Sequence, residues 1–379
     1  MKKICHVLSG FFRDDTRIFW KQCCSLASEG YDVYILTNDG LPDEIKENIK
    51  IIACETYYKK RFQTILKAKS TFLKKALEID ADIYQLHGPE LIPLGLALKK
   101  YNKIIFYDAH EDLPQQILEK EWIPQIARKP LSILTEHYLK YSLSKFDELF
   151  TVTPHIVERL KKITNTVTMI TNYPIVYENN FFSFEEYDKR GNILCFIGTV
   201  SSASNHENIL EALSNIDNVK YHIAGTFYPE SYIKKLSNIK AWSKVQFFGR
   251  LSKEDLKLFL KRVSIGIVIF DYNRNLGYKI GSLGNNKLFE YMEAGLPIIC
   301  TDFDLWKEII DKYNCGIYVQ PNDIEGIKNA ICYLINNKKE AYEMGQNGRK
   351  AVLLEYNWET QEKEYLKIFK KYNDHFVKN

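Results

Sequence analysis

Nowhere in the 379-residue chain do apolar residues run for the roughly 18 positions that crossing a bilayer requires, so no membrane span is expected. Excess charge is also scarce: 52 basic against 48 acidic residues leave +4, too little for a polyelectrolyte-style nucleic-acid binder. The eight cysteines are scattered, with no CxxC pair and no Cys/His set at zinc spacing. Cys5, Cys54, Cys195 and Cys300 lie in apolar runs, where a thiol behaves as a small hydrophobe, and a reduced, cytoplasmic protein is the plain reading. A GxGxxG is missing, which leaves nicotinamide or flavin binding without support. The run from Gly281 to Lys287 resembles a phosphate-binding Walker loop only on the surface. Its internal spacing is wrong, Leu288 rather than Ser or Thr follows the lysine, and no strand directly precedes it. Repeats and low-complexity tracts are absent. The opening MKKICHVLSG lacks a long apolar segment and a small-residue cleavage site, so it reads as a first buried strand.

What is present is globular composition, 45% hydrophobic and 26% charged, over a length suited to about two to three domains. Short apolar runs alternate with helix-period segments, the pattern of βαβ units in a parallel sheet. Strands are expected at 4–8, 33–37, 83–86, 104–108, 148–152 and 167–170, with helices at 16–29, 91–101 and 132–144 among them. The pattern breaks at Tyr173-Pro174, and an acidic, aromatic stretch follows. A second series begins at 193–198 and continues through 220–224, 245–248, 265–270, 297–301 and 316–319. The expected domains are 1–174, a linker at 175–190, 191–356, and a terminal helix at 357–379 that packs back on the first domain. Tyr365, Phe369, Tyr372 and Phe376 form the apolar stripe of that helix. In doubly wound domains ligands sit at the carboxyl ends of the strands.

The most informative stretch runs from Gly281 to Ile299. A Gly- and Asn-rich loop leads into a short helix that ends at Gly295 and turns through Pro297 into a buried strand. Free amides at such a helix start suit a diphosphate, with Lys287 adding charge and Glu290 one turn on suited to ribose hydroxyls. A solvated Lys and Glu on an ordinary surface helix is the bland alternative. His110 follows the strand 104–108 at a carboxyl edge, where an imidazole can meet a reacting group; otherwise it bonds within its loop to Asp108 or Glu111. His87 stands in the parallel position after 83–86. Of two Asp-x-Asp triplets, Asp80-Ala-Asp82 precedes its strand and reads as a turn, while Asp302-Phe-Asp304 follows one and is the better metal candidate. Residues 57–75 carry seven cations and no acid, interleaved with apolar residues, as in a basic helix that lies on an anionic membrane or packs on its own sheet.

Asn286-Lys-Leu-Phe-Glu-Tyr-Met-Glu-Ala-Gly-Leu-Pro resembles the donor-binding segment of glycosyltransferase family 4. Further stretches agree in order: Arg13-Asp-Asp-Thr-Arg-Ile-Phe, Gln85-Leu-His-Gly-Pro-Glu-Leu, Tyr107-Asp-Ala-His-Glu-Asp, Cys315-Gly-Ile-Tyr-Val-Gln-Pro-Asn-Asp and Tyr356-Asn-Trp. The resemblance reaches from near residue 13 to 358 and implies the α/β GT-B fold, two Rossmann-like doubly wound domains facing across a cleft. It implies a retaining transferase that moves a sugar from a nucleotide diphosphate sugar to a glycan or lipid-linked acceptor in surface polysaccharide assembly. No cofactor and no metal are called for, and UDP is preferred over GDP on family frequency; the basic run at 57–75 adds the expectation of a place at the inner face of the cell membrane. By resemblance Glu290 holds the ribose, and Ser282, Leu283, Gly284, Asn285 and Asn286 form the phosphate loop. Gly249 and Arg250 form the base-binding turn, while Gly198, Thr199, Gly10 and Arg17 complete the donor site; His110 and Lys287 serve catalysis. Two departures stand out. The first glutamate of the family's pair is Ser282 here, and the loop from Gly198 to His206 lacks the usual Arg and Lys, leaving Lys287, Arg250, Lys279 or Arg17 to neutralise the diphosphate. Those departures keep open a catalytically silent GT-B partner, and a GT-B-fold UDP-sugar epimerase, which needs no acceptor, is a second alternative.

Overall fold

Parallel strands of β-branched and aromatic residues, each followed by a helix, build two units, residues 1–172 with 358–379 and residues 173–357. The computed structural model describes residues 2–54, 61–120, 122–176 and 182–377, with side chains given outside 61–68 and 373–377.

In the first unit the strands are β1 (Lys3–Leu8), β2 (Asp32–Thr37), β3 (Glu44–Lys46), β4 (Ile49–Ala53), β5 (Ile83–His87), β6 (Ile104–Ala109), β7 (Glu148–Thr151) and β8 (Val167–Met169). They lie in the order β3-β4-β2-β1-β5-β6-β7-β8, all parallel except the β3–β4 pair. Every residue of β5 and β6 is buried, as expected of strands covered on both faces. Strand alternation sorts the side chains. Cys5, Leu86 and Tyr107 enter one apolar cluster together with Phe72, Leu94 and Leu143 from the helices on that face. Phe106 and Phe150 are in contact with Phe369 of the terminal helix Trp358–Val377. That helix is tied to the unit by Trp358 Nε1 donating to Ser25 Oγ (3.0 Å) and Tyr372 OH donating to Asp147 O (2.6 Å).

The second unit carries β9 (Ile193–Val200), β10 (Lys220–Phe227), β11 (Val245–Phe247), β12 (Ile265–Val268), β13 (Ile298–Thr301) and β14 (Gly316–Val319), all parallel, in the order β11-β10-β9-β12-β13-β14.

Three expectations need correction. The stretch taken as a linker is part of the second unit wherever it is described. Ser183 and Glu186 form a capping box for the helix Phe184–Asp188, and Tyr187 is buried with its hydroxyl donating to Ser264 O (3.0 Å). Residues 177–181 lie outside the described residues. The hairpin β3–β4 was not foreseen, because its strands are only three and five residues long and too short for a clear alternation. The helix expected over 16–29 is wound as a π-helix at Thr16–Cys23 before an α-helical turn at Cys24–Ser28. Asp15 starts it by accepting from the amides of Arg17 and Ile18, and the wider winding brings Arg17 and Gln22, five residues apart, onto one carboxylate.

Candidate functional site

At the carboxyl ends of β9, β10 and β11 the second unit has a glycine on each strand or just beyond it. Gly198 pairs in register with Gly225, whose amide donates to Gly249 O at 2.7 Å. A Cβ on Gly225 would sit 1.8 Å from the Gly198 carbonyl oxygen, so this position admits only glycine. Gly198, at φ +98, leaves room for a side chain from elsewhere: a Cβ there would lie 2.9 Å from Lys287 Cε and 3.1 Å from its Nζ.

The helix Asn286–Glu293 places that lysine. Tyr291, one turn further along the same face, is buried against Gly266 of β12, where an added Cβ would strike its ring at 2.4 Å. Its hydroxyl accepts from Ile197 N at 3.0 Å, which locks the helix onto β9. Lys287 therefore lies half-buried over Gly198, with Nζ 5.4 Å from the ring centres of both Phe196 and Phe270. No carboxylate comes within 4 Å of Nζ among the described residues. Burial lowers its pKa, and Glu290 pulls the other way.

The loop before the helix spends part of its amides internally. Ser282 is buried; its Oγ accepts from Gly284 N (3.0 Å) and its carbonyl from Trp306 Nε1 (2.9 Å). Ser282 is thus a turn-former, and Gly284 N is not open to a ligand, contrary to the expectation for this loop. Asn285 caps the helix by accepting from Lys287 N (3.1 Å). The amides of Leu283, Asn285 and Asn286 find no acceptor among the described residues, and Asn286 Oδ1 is buried without a hydrogen-bond partner. A helix start carrying open amides beside an amine with no carboxylate within 4 Å suits an anion. Glu290 is half-buried on the next turn of the helix. Thr199 and Arg250 are exposed at their strand ends, and Gly249 turns with φ +69. Lys279 is paired with Asp302 (3.5 Å), which also accepts from the Tyr272 hydroxyl, so neither is open as the sequence suggested.

The first unit arranges its strand ends differently. Arg17, expected near the diphosphate, is buried with its guanidinium forked on Asp108: Nε donates to Oδ2 at 3.0 Å and Nη2 to Oδ1 at 2.9 Å, while Nη1 donates to Ile170 O at 2.8 Å. Gln22 Nε2 adds a donor to Asp108 Oδ2 (2.9 Å), Gln85 Nε2 donates to Gln22 Oε1 (3.1 Å), and Tyr365 OH donates to Gln85 Oε1 (2.7 Å). Against the upward push of burial, the Arg17 charge holds the Asp108 carboxyl well below the usual range. His87 and His110 also face this carboxylate, Nδ1 at 3.6 Å and Nε2 at 3.4 Å from Oδ2. His6 Nδ1 lies 3.0 Å from His87 Nε2, with the two rings stacked. Burial lowers the His6 pKa to about 3, drives that of His87 well down, and lowers that of His110 despite Asp108. His110 is the member that reaches solvent, 24% exposed, with Phe11 tilted against it at 5.4 Å. Gly10, past the end of β1, is exposed with φ +76.

The ligand atoms of His87, Asp108 and His110 lie within 4.8 Å of one another, close enough for a metal. Both carboxylate oxygens are already taken by Arg17, whose charge opposes a cation there. Sequence reasoning missed the Arg17–Asp108 pair and the His6–His87 contact, since 91 and 81 residues separate the partners. Alternation alone places His6, His87 and Asp108 on one sheet face, and that was the available signal. Of the basic run at 57–75, residues 57–60 and the side chains of 61–68 lie outside the described residues. In the remainder Phe72 is buried, Lys69 and Lys74 are exposed, and Lys75 pairs with Glu78.

Residues 17–172 match the family model for Glycosyltransferase Family 4, and residues 178–351 the one for Glycosyl transferases group 1. An uncharacterized glycosyltransferase of Methanocaldococcus jannaschii is 28% identical over 184 residues, 47% of this chain and 45% of the relative. The chain thus spans about half the length of that relative. Sucrose-phosphate synthase from Thermosynechococcus elongatus superposes with a TM-score of 0.76 at 17% identity, over 100% of both chains. HepE from Anabaena, solved with UDP and glucose, superposes with a TM-score of 0.72 at 11% identity, over 98% of this chain and 100% of that one.

Proposed function

The chain belongs to the GT-B glycosyltransferases of family 4, and from that premise we propose that it moves a sugar from a nucleotide diphosphate sugar to a glycan or lipid-linked acceptor, with retention at the anomeric carbon. The observation that carries this reading is the Lys287 amine stationed over Gly198, beside the open amides of Leu283, Asn285 and Asn286. Charge develops on the diphosphate as it leaves. A fixed cation and aligned N–H groups stabilise that charge more than they stabilise the bound donor, which is where rate acceleration comes from. Glu290 takes the ribose hydroxyls, and Gly249 with Arg250 borders the base. By the family resemblance His110 is the residue that acts on the transferred sugar. A donor phosphate oxygen takes the acceptor proton, so no protein nucleophile is needed. UDP is the preferred nucleotide, a choice supported by HepE, a neighbour of the same fold solved with UDP. Surface-glycan assembly is the setting that the family implies.

Ser282 favours one refinement. Its hydroxyl is spent on Gly284 N, so the sugar hydroxyls lose the carboxylate that the family places there, and sugar selection rests on the neighbouring amides. The reading is tested by titrating the full chain with UDP, GDP, ADP and CMP and their sugars, followed by assay of each bound donor for hydrolysis without acceptor. Micromolar binding of one nucleoside diphosphate, with slow release of its sugar, is expected. Absence of binding to all four would overturn it. Binding without hydrolysis or transfer would favour a silent partner, and conversion of a UDP-sugar to an epimer would favour the isomerase.

A further inference from the structure

The helix Gln125–Leu143 of the first unit packs on the core through Leu139 and Leu143, yet turns more of its large apolar side chains to solvent than to the protein. Toward the protein it buries Ser132, Ser142 and Leu143, with Ser132 Oγ donating to Pro114 O at 2.8 Å. Toward solvent it presents Ile126, Ile133, Leu134 and Tyr141, exposed by 89, 49, 66 and 61%. Positions 126 and 133, and 134 and 141, are each two helical turns apart, and 133 and 134 adjoin, so the four fall within about 100° of one another and form one apolar stripe along a helix about 28 Å long. Trp122, just before the helix, is also exposed, by 78%. Single exposed apolar residues are ordinary; a continuous row marks a surface that something covers.

The charges around the stripe say what covers it. Lys129 and Lys140 are exposed along its flank, and Lys145 follows with its amine 3.6 Å from the Tyr141 ring centre. Glu136, the one acidic residue of the helix, is held by Arg159 at 3.3 Å. The surface is a convex ridge with a tryptophan at one end, a tyrosine at the other, and lysines beside it. Those residues suit a lipid interface, where aromatic rings sit at headgroup depth and lysine stems reach for phosphates. A second copy fits poorly, because a two-fold pairing of this ridge would set each lysine row near its own duplicate.

We propose that the helix Gln125–Leu143, with Trp122, docks the protein peripherally on an anionic bilayer. The rod lies in the headgroup plane with Ile126, Ile133, Leu134 and Tyr141 inserted, and Lys129, Lys140 and Lys145 on the lipid phosphates. The inference rests on this exposed face and not on the transferase reading. The helix Arg61–Ile79, which carries most of the basic run, joins the same apolar cluster through Phe72 and Ala76, and thus flanks the same face of the sheet.

Sedimentation of the full chain with vesicles of phosphatidylcholine, alone or with about a third phosphatidylglycerol, tests the proposal. Wild type should pellet with the anionic vesicles and be released by salt, with Trp122 emission shifting to the blue. The triple variant Ile126→Gln, Ile133→Gln, Leu134→Gln changes only exposed positions, so it should melt like wild type. It should lose vesicle binding by about tenfold or more, and Lys129→Gln with Lys140→Gln should lose it by a smaller factor. Free inorganic phosphate at the same charge should not compete. Wild type left in the supernatant, or equal pelleting of wild type and the triple variant, would overturn the proposal. So would a concentration-dependent dimer that the triple variant abolishes.

Discussion

Both units end their parallel strands in polar residues, and they use them in opposite ways. In the first, Asp108 and Arg17 neutralise each other in the interior, with Gln22, Gln85, His6 and His87 closing a network in which only His110 reaches solvent. In the second, glycines clear the strand ends, and Lys287 has no carboxylate within 4 Å and several amides no acceptor among the described residues. A buried network anchored on an ion pair holds a fold and orients one exposed group, even with His6 Nε2, His87 Nδ1 and His110 Nε2 left without a hydrogen-bond partner among the described residues; open amides at a helix start have affinity left over for a ligand. On this comparison the second unit is the binding half, and the first offers a positioned histidine.

The largest effect should come from breaking the first unit's ion pair. Asp108→Ala leaves a buried guanidinium without a counter-charge and should cost about 3–5 kcal/mol in denaturant unfolding. Arg17→Leu with Asp108→Leu should recover a good part of that loss, and equal damage in single and double variants would show that the pair is not the unit's polar centre.

Acid should sharpen the contrast next. A histidine whose folded pKa lies below its unfolded value is neutral in the fold, and the unfolded chain binds more protons below about pH 6.5. Its stabilising effect is complete above that pH and is lost as pH falls toward the folded pKa. His6 and His206, both lowered to about 3 by burial, should each cost about 2 kcal/mol at pH 5. His87 adds to the loss in the first unit, where Asp108 extends it below the usual carboxylate range. The first unit should therefore melt at higher pH than the second in a pH series followed by hydrogen exchange. The same onset in both units would deny the asymmetry.

Ligand-side substitutions should leave stability nearly untouched. Lys287→Ala should weaken UDP binding by about 1.5–3 kcal/mol in calorimetry, and Glu290→Ala by about 1–3 kcal/mol. Loss of folding instead of affinity would make these residues structural. Turnover in excess EDTA should be unchanged; a rate abolished by EDTA and restored by manganese would return Asp302 to consideration as a ligand.

The alternation of strands and helices was legible because each element buries a periodic face. The loop into Asn286–Glu293 was legible because glycines, asparagines and a following helix signal are local. The linker reading failed since Phe182, Phe184 and Tyr187 bury themselves against Tyr342 and each other, without a period that a sequence displays. Arg17 was misassigned for a related reason: its carboxylate is 91 residues away and is met only through sheet register and a π-helical turn. Gly266 and Tyr291 look unremarkable in sequence, yet their contact is what points Lys287 at Gly198.

The account's central claim is that the second unit's helix start holds the donor diphosphate. A crystal structure of the full chain with UDP tests it directly. The phosphate oxygens should lie within about 3 Å of the amides of Asn285 and Asn286 and of Lys287 Nζ. A diphosphate bound instead on Arg17 with Asp108 displaced, or one whose oxygens avoid Lys287 altogether, would contradict it.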